Sequence, residues 1–208
     1  MTGETQTPQL TAGVVLAGGR SVRFGGEKAA ALLAGKPLLL WAAQRLQRSC
    51  TVVAINARPG SEAQGIAESA GLPVLHDLAG DAAGPLAGVR VGLAWAREQG
   101  APVLAVSPCD APLLPEDLFA RLLAAAGDAA AMAETSDGPQ PLCAVWPVSA
   151  LAALSEALAG GAHPATWRML DSIGARRVRF ERAAAFANLN TRADLAAVAE
   201  RLEAAGRR

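Results

Sequence analysis

The chain predicts a single α/β domain with a mostly parallel central sheet and helices on both faces. Three observations predict it. Short apolar runs, partly β-branched, alternate with longer helical patterns; few strong turn dipeptides separate them; and 208 residues suffice for one well-buried core.

Residues 1–10 are polar, carry Glu4 and lack both a basic start and an apolar centre, so they read as a flexible tail rather than a signal peptide. The domain is expected over 11–205. Buried strands are expected at 13–17, 51–55, 73–75 and 102–106, each short and bounded by Gly, Pro or Asn. Helices are expected at 38–48, 61–70, 85–99 and 115–126; Ser61 with Gln64, and Pro115, are N-terminal signals. Parallel sheets of this kind bind ligands at the carboxyl ends of their strands, and polar residues collect there. A glycine-rich turn follows the first strand, Asn56 the second, His76-Asp77 the third, and Ser107-Pro108-Cys109-Asp110-Ala111-Pro112 the fourth.

The turn reads Leu16-Ala17-Gly18-Gly19-Arg20-Ser21-Val22-Arg23-Phe24-Gly25-Gly26-Glu27-Lys28. Glycines let backbone N–H groups approach an anion, and Arg and Lys neutralise it, so the segment suits a polyphosphate. Lys28 and Lys36 are the only lysines in the chain. A compact ammonium follows moving charge better than a rigid guanidinium fork. A Walker A loop requires Gly-Lys-Ser/Thr and a dinucleotide fingerprint requires G-x-G-x-x-G; neither occurs here. Asp110, pinned between Pro108 and Pro112, is expected to be a rigid, free carboxylate suited to Mg²⁺, which takes one or two carboxylates plus phosphates and water. Asn56 and Asp77 at strand ends are also ordinary turn formers.

Composition narrows the partners. A formal charge of +0 and a pI of about 6.7 point to neither nucleic acid nor an acidic membrane surface. No run reaches the roughly 18 apolar residues of a spanning helix, and a cytoplasmic location is expected. Three cysteines at wide spacing and two histidines argue against a disulfide framework or a zinc site. Cys109 reads as a packed thiol.

The pattern L-A-G-G-x-S-x-R-x-G-x-x-K, with Lys36-Pro37-Leu38 downstream, resembles the entrance of nucleotidyltransferases that activate sugars and cofactors with NTP. Its double glycine is most similar to the molybdenum cofactor guanylyltransferases; relatives using CTP more often carry alanine at the first glycine. Three further stretches follow in order: Gly84-Pro85-Leu86-Ala87-Gly88, Cys109-Asp110-Ala111-Pro112-Leu113-Leu114-Pro115 and Pro139-Gln140-Pro141-Leu142-Cys143-Ala144-Val145. A last one is Phe186-Ala187-Asn188-Leu189-Asn190-Thr191-Arg192-Ala193-Asp194-Leu195.

The resemblance implies a Rossmann-like nucleotidyltransferase fold with a nucleotide half over about 11–115 and an acceptor half over about 116–195. It implies GTP binding by Leu16, Ala17, Gly18, Gly19, Lys28, Asn56, Asp77, Gly84, Pro85 and Asp110, catalysis by Lys28, Asp110 and Arg23, and Mg²⁺ on Asp110. Asn188 and Asn190 are left for the acceptor phosphate or the metal's waters. The implied reaction is GMP transfer from GTP to molybdopterin, and other cofactor-biosynthesis proteins or apo-molybdoenzymes are the implied transient contacts. Trp167, Arg168, Arg176, Arg177 and Arg179 lie where the acceptor is expected, though a solvated surface explains these arginines equally well. Thr191 with Asp194 reads as a capping box. The chain departs from the family pattern at Glu27, Phe24 and Arg192-Ala193. Two other classes stay open: a CTP-dependent or sugar nucleotidyltransferase, and a non-catalytic nucleotide or cofactor carrier.

Overall fold

The computed structural model describes residues 10–19, 24–81, 84–161 and 163–206. In chain order the strands and helices begin with β1 (Ala12–Leu16), a small hairpin of β2 (Leu32–Leu33) and β3 (Lys36–Pro37), α1 (Leu38–Gln47) and β4 (Val52–Asn56). Next come α2 (Glu62–Ser69), β5 (Val74–Leu75), α3 (Pro85–Glu98), β6 (Val103–Pro108) and α4 (Leu118–Ala126). The second half supplies β7 (Ala131–Thr135), β8 (Gly138–Pro147), α5 (Leu151–Leu158), α6 (Thr166–Ser172), β9 (Arg176–Arg179) and α7 (Arg192–Gly206).

Seven strands form the main sheet in the order β5-β4-β1-β6-β8-β7-β9. Only β8 runs against the others. The expectation of a mostly parallel sheet holds, and the exception has a local cause. Ser136 and Asp137 turn the chain between the paired Thr135 and Gly138, whose φ of 107° suits glycine, and a turn that tight can only join antiparallel strands.

Alternate residues of the central strands serve two cores. Val15, Ile55 and Ala105 pack with Leu39 and Leu46 of α1, Ala63 of α2 and Phe119 and Leu122 of α4. On the opposite face Val14, Leu104 and Trp146 pack with Leu86, Val89 and Leu93 of α3, Leu154 of α5 and Leu170 of α6. A third, smaller patch joins Leu33 and Leu38 to Leu189 and to Val198 of α7. None of the described helices is long and apolar enough to cross a membrane.

Element boundaries shift by one to three residues from the sequence expectations. Asn56 closes β4 instead of following it, and β6 runs on through Ser107 and Pro108. The helix expected from Pro115 starts at Leu118, because residues 115–118 form a turn closed by the Leu118 N–H on the Pro115 carbonyl. Ser61 caps α2 through the Gln64 N–H, as expected, whereas the Gln64 side chain accepts from Gly60 rather than from Ser61.

Candidate active site

From β1 the chain moves outward to β4 and β5, then returns to β6 on the other side of β1. The strand order therefore reverses between β1 and β6, whose last residues, Leu16 and Pro108, lie in register. Crevices at such reversals hold ligands in open α/β sheets. The glycine-rich turn leaves β1 here, and Asp110 follows β6. Leu16 is half-buried, Ala17 is buried with its N–H on the Asn56 carbonyl at 2.8 Å, and Gly19 is exposed. Arg23 lies outside the described residues.

Lys28 opens a short 3-10 turn (Lys28–Ala30), and its ammonium donates to Asp110 Oδ2 at 2.8 Å and to Asn190 Oδ1 at 3.1 Å. The Lys28 and Asp110 side chains are only 12% and 19% exposed. Asp110 is thus not the free carboxylate expected from its flanking prolines; it is rigid, and it is paired. The C-terminal segment joins the same cluster twice, through Asn190 and through the Leu189 N–H on the Asp110 carbonyl at 2.8 Å. Thr191 and Asp194 form the expected capping box: the Asp194 N–H donates to Thr191 Oγ1 and the Thr191 N–H to Asp194 Oδ2. The same carboxylate accepts the Asn190 N–H, and these backbone hydrogen bonds hold its pKa below the ordinary value. Asn188 is exposed.

A second polar group lies along β4. Asn56 is 4% exposed, and its amide donates to Asp77 Oδ1 at 2.9 Å and to the Leu75 carbonyl at 3.3 Å. A Cβ at Gly88 of α3 would lie 2.4 Å from Asn56 Oδ1, and one at Gly18 would lie 3.5 Å from it. Glycine at 88 is therefore what lets α3 seat against the side of Asn56. Gly84 answers to space rather than to a tight turn: its φ of 162° is extended, but a Cβ there would strike the His163 ring at 2.1 Å. His163 Nε2 accepts the Leu86 N–H in the first turn of α3 at 3.2 Å.

His163 and Glu27 are the positions whose local roles sequence reasoning missed. Glu27 Oε2 accepts the Glu62 N–H at 2.8 Å and ties the end of the glycine-rich turn to the start of α2. For His163 the available signal was its scarcity, since the chain has only two histidines. The arginines expected near the acceptor divide differently. Arg176 donates to the Ala125 carbonyl, and Arg177 bridges Glu134 and Asp171, so both bind the protein's own groups. Arg168 lies over the exposed ring of Trp167. Burial first, then the Asp110 charge, pushes the Cys109 thiol up to about 12. An apolar hollow of about 870 Å³ between β5, α3 and α5, lined by Val74, Trp95 and Leu151 among others, lies apart from the Lys28 cluster.

The sequence between residues 13 and 178 matches the family model described as MobA-like NTP transferase domain. A molybdenum cofactor guanylyltransferase of Cereibacter sphaeroides is 40% identical over 185 residues, 88% of this chain and 93% of that one. One of Yersinia pestis is 38% identical over 190 residues, 90% of this chain and 93% of that one. In fold, the chain is similar to the crystal structure of molybdopterin-guanine dinucleotide biosynthesis protein A from Archaeoglobus fulgidus, with a TM-score of 0.71 and 22% identity over 92% of this chain and 98% of that one. A charged cluster at the strand-order reversal, a glycine-rich turn beside it and relatives of this similarity over nearly the whole length lead to one conclusion: the chain is a nucleotidyltransferase and belongs to the MobA-like family of molybdenum cofactor guanylyltransferases.

Proposed function

We propose that this chain transfers GMP from GTP to the phosphate of molybdopterin, giving molybdopterin guanine dinucleotide and pyrophosphate, with the cluster of Lys28, Asp110 and Asn190 as its phosphate site. The observation that carries the assignment of the site is the 2.8 Å pair of Lys28 and Asp110 at the end of β6. Largely buried opposite charges at the reversal between β1 and β6 suit a polyphosphate and its counter-ion.

The acceptor phosphate is already an anion, so attack on the α-phosphorus of GTP needs no general base. Catalysis reduces to alignment and charge neutralisation. Lys28 donates to oxygens of the departing pyrophosphate, where negative charge grows, and Arg23 is proposed for the same charge neutralisation on the motif alone. The backbone of Leu16 to Gly19 lines the phosphates, and Asn56, Asp77, Gly84 and Pro85 face the guanosine. Asn56 is suited to that task because Asp77 and the Leu75 carbonyl use its amide hydrogens and leave Oδ1 as acceptor.

Asp110 also fits Mg²⁺. It offers a hard oxygen, and the described residues hold no group of three or more His, Cys, Asp or Glu that would build an all-protein cage, which matches an ion that keeps phosphates and water as its other ligands. When bound, the ion neutralises phosphate charge. Both substrates are cytoplasmic in this reading, with apo-molybdoenzymes or other cofactor-biosynthesis proteins as transient partners.

Thermal shift with each NTP and Mg²⁺ tests the assignment. GTP should stabilise the fold most, by about 2.7 kcal/mol at a hundredfold excess over Kd. Equal stabilisation by CTP would move the chain to the cytidylyltransferases, and no stabilisation by any NTP would remove the reading.

A further inference from the structure

We infer that Asn190 is a positioning residue of the phosphate site, holding the Lys28 ammonium in register with Asp110, rather than a contact of the acceptor; the inference rests on the role given to Lys28 above. An ammonium carries three donors. Two are committed here, to Asp110 Oδ2 at 2.8 Å and Asn190 Oδ1 at 3.1 Å, which leaves one for a substrate oxygen. A lysine stem is flexible and loses much rotamer freedom when it is immobilised. Two anchors meet that cost during folding, before any nucleotide arrives, and the remaining donor is delivered in a set direction.

Asn190 is itself well held. Its N–H donates to Asp194 Oδ2 at 2.8 Å. The preceding Leu189 donates its N–H to the Asp110 carbonyl and buries its side chain with Leu33, Leu38 and Val198. One short segment therefore fixes both partners of Lys28: Asp110 through its backbone and the ammonium through an amide oxygen. A neutral oxygen suits the task. A carboxylate at 190 would bind the ammonium more tightly and repel the phosphates that Lys28 has to meet. The Asn190 side chain is exposed, so truncating it opens no cavity, and an alanine keeps the backbone bond to Asp194.

A double-mutant cycle at saturating GTP and molybdopterin tests this, with Lys28→Ala, Asn190→Ala and the double variant, and with melting curves to show that each folds. Asn190→Ala should lower kcat about tenfold and leave the KM for molybdopterin within about twofold. The double variant should be no slower than Lys28→Ala within about twofold, because the amide has nothing left to position. A double variant slower by the full Asn190 factor overturns the inference and leaves the proposed reaction standing. So does Asn190→Ala raising only the molybdopterin KM. If Lys28→Ala leaves kcat intact, the inference and the role of Lys28 fall together.

Discussion

Lys28 is one of two lysines in a chain that otherwise uses arginine for positive charge. Between Asp110 and Asn190 there is room for a point donor with three hydrogens, whereas a guanidinium would bring a wider planar fork to the same two oxygens. If Lys28 stabilises charge that grows on the departing pyrophosphate, its loss appears in kcat as well as in binding. Lys28→Ala should lower kcat by roughly two to three powers of ten, the usual effect of removing one preorganised donor, and Lys28→Arg should recover only part of that. Steady-state kinetics at saturating GTP decide it: a change confined to KM would mean that Lys28 only holds the nucleotide. The sequence made both ends of the Lys28–Asp110 pair conspicuous, one closing a glycine-rich turn and the other set between prolines. It could not show that they meet, because the contact spans 82 residues and depends on β1 and β6 being neighbours.

Among the elements, α3 reaches its place only because it carries glycine where it crosses β4. Gly88→Ala would set a methyl 2.4 Å from Asn56 Oδ1 and 2.8 Å from Leu16 Cδ2, and the asparagine cannot swing away without giving up its bonds to Asp77 and Leu75. This change should cost about 1–3 kcal/mol despite the gain in helix propensity, and weaken GTP binding besides. Gly65 in α2 supplies the control, since a Cβ there meets nothing within 4 Å. Gly65→Ala should stabilise by about 0.5–1 kcal/mol with GTP binding unchanged. Chemical denaturation with GTP titration of both variants checks the pair, and equal responses would show that Gly88 has no special packing role. The four early strands and helices were legible from apolar runs and caps, to within one to three residues. The antiparallel β8 was not expected from the residues: only the resemblance singled out 139–145, and the direction of the strand hangs on the two-residue turn of Ser136 and Asp137 between the paired Thr135 and Gly138. The role of His163 was hidden, because a ring lying on the Gly84–Leu86 backbone depends on a loop 77 residues away.

At the scale of the whole molecule, the sheet is covered on both faces, Cys50 and Cys143 are buried with it, and Cys109 at the end of β6 is partly exposed. Burial pushes Cys50 up to about 12 and raises Cys143 as well, while Cys109 reaches about 12 with Asp110 adding to burial. Folded protein at pH 8 therefore presents almost no thiolate. Ellman's reagent should label Cys50 and Cys143 with a single rate constant that tracks global unfolding and falls when GTP is added. Either of these two labelled well ahead of the other would instead mark local opening of its own element.

The bond from the C-terminal segment to Lys28 also orders events in time. Every strand of the main sheet precedes Asn190 in the chain, and 162 residues separate Asn190 from Lys28. The last strand ends at Arg179, 11 residues before Asn190 (190 − 179), and at synthesis rates of roughly 5–20 residues per second that final interval lasts on the order of one second. A nascent chain on the ribosome can thus complete its sheet while the ammonium still has a single anchor. Premature termination anywhere between β9 and Asn190 would release a product with the sheet of the enzyme and an unfinished centre, in which Lys28 keeps only its bond to Asp110.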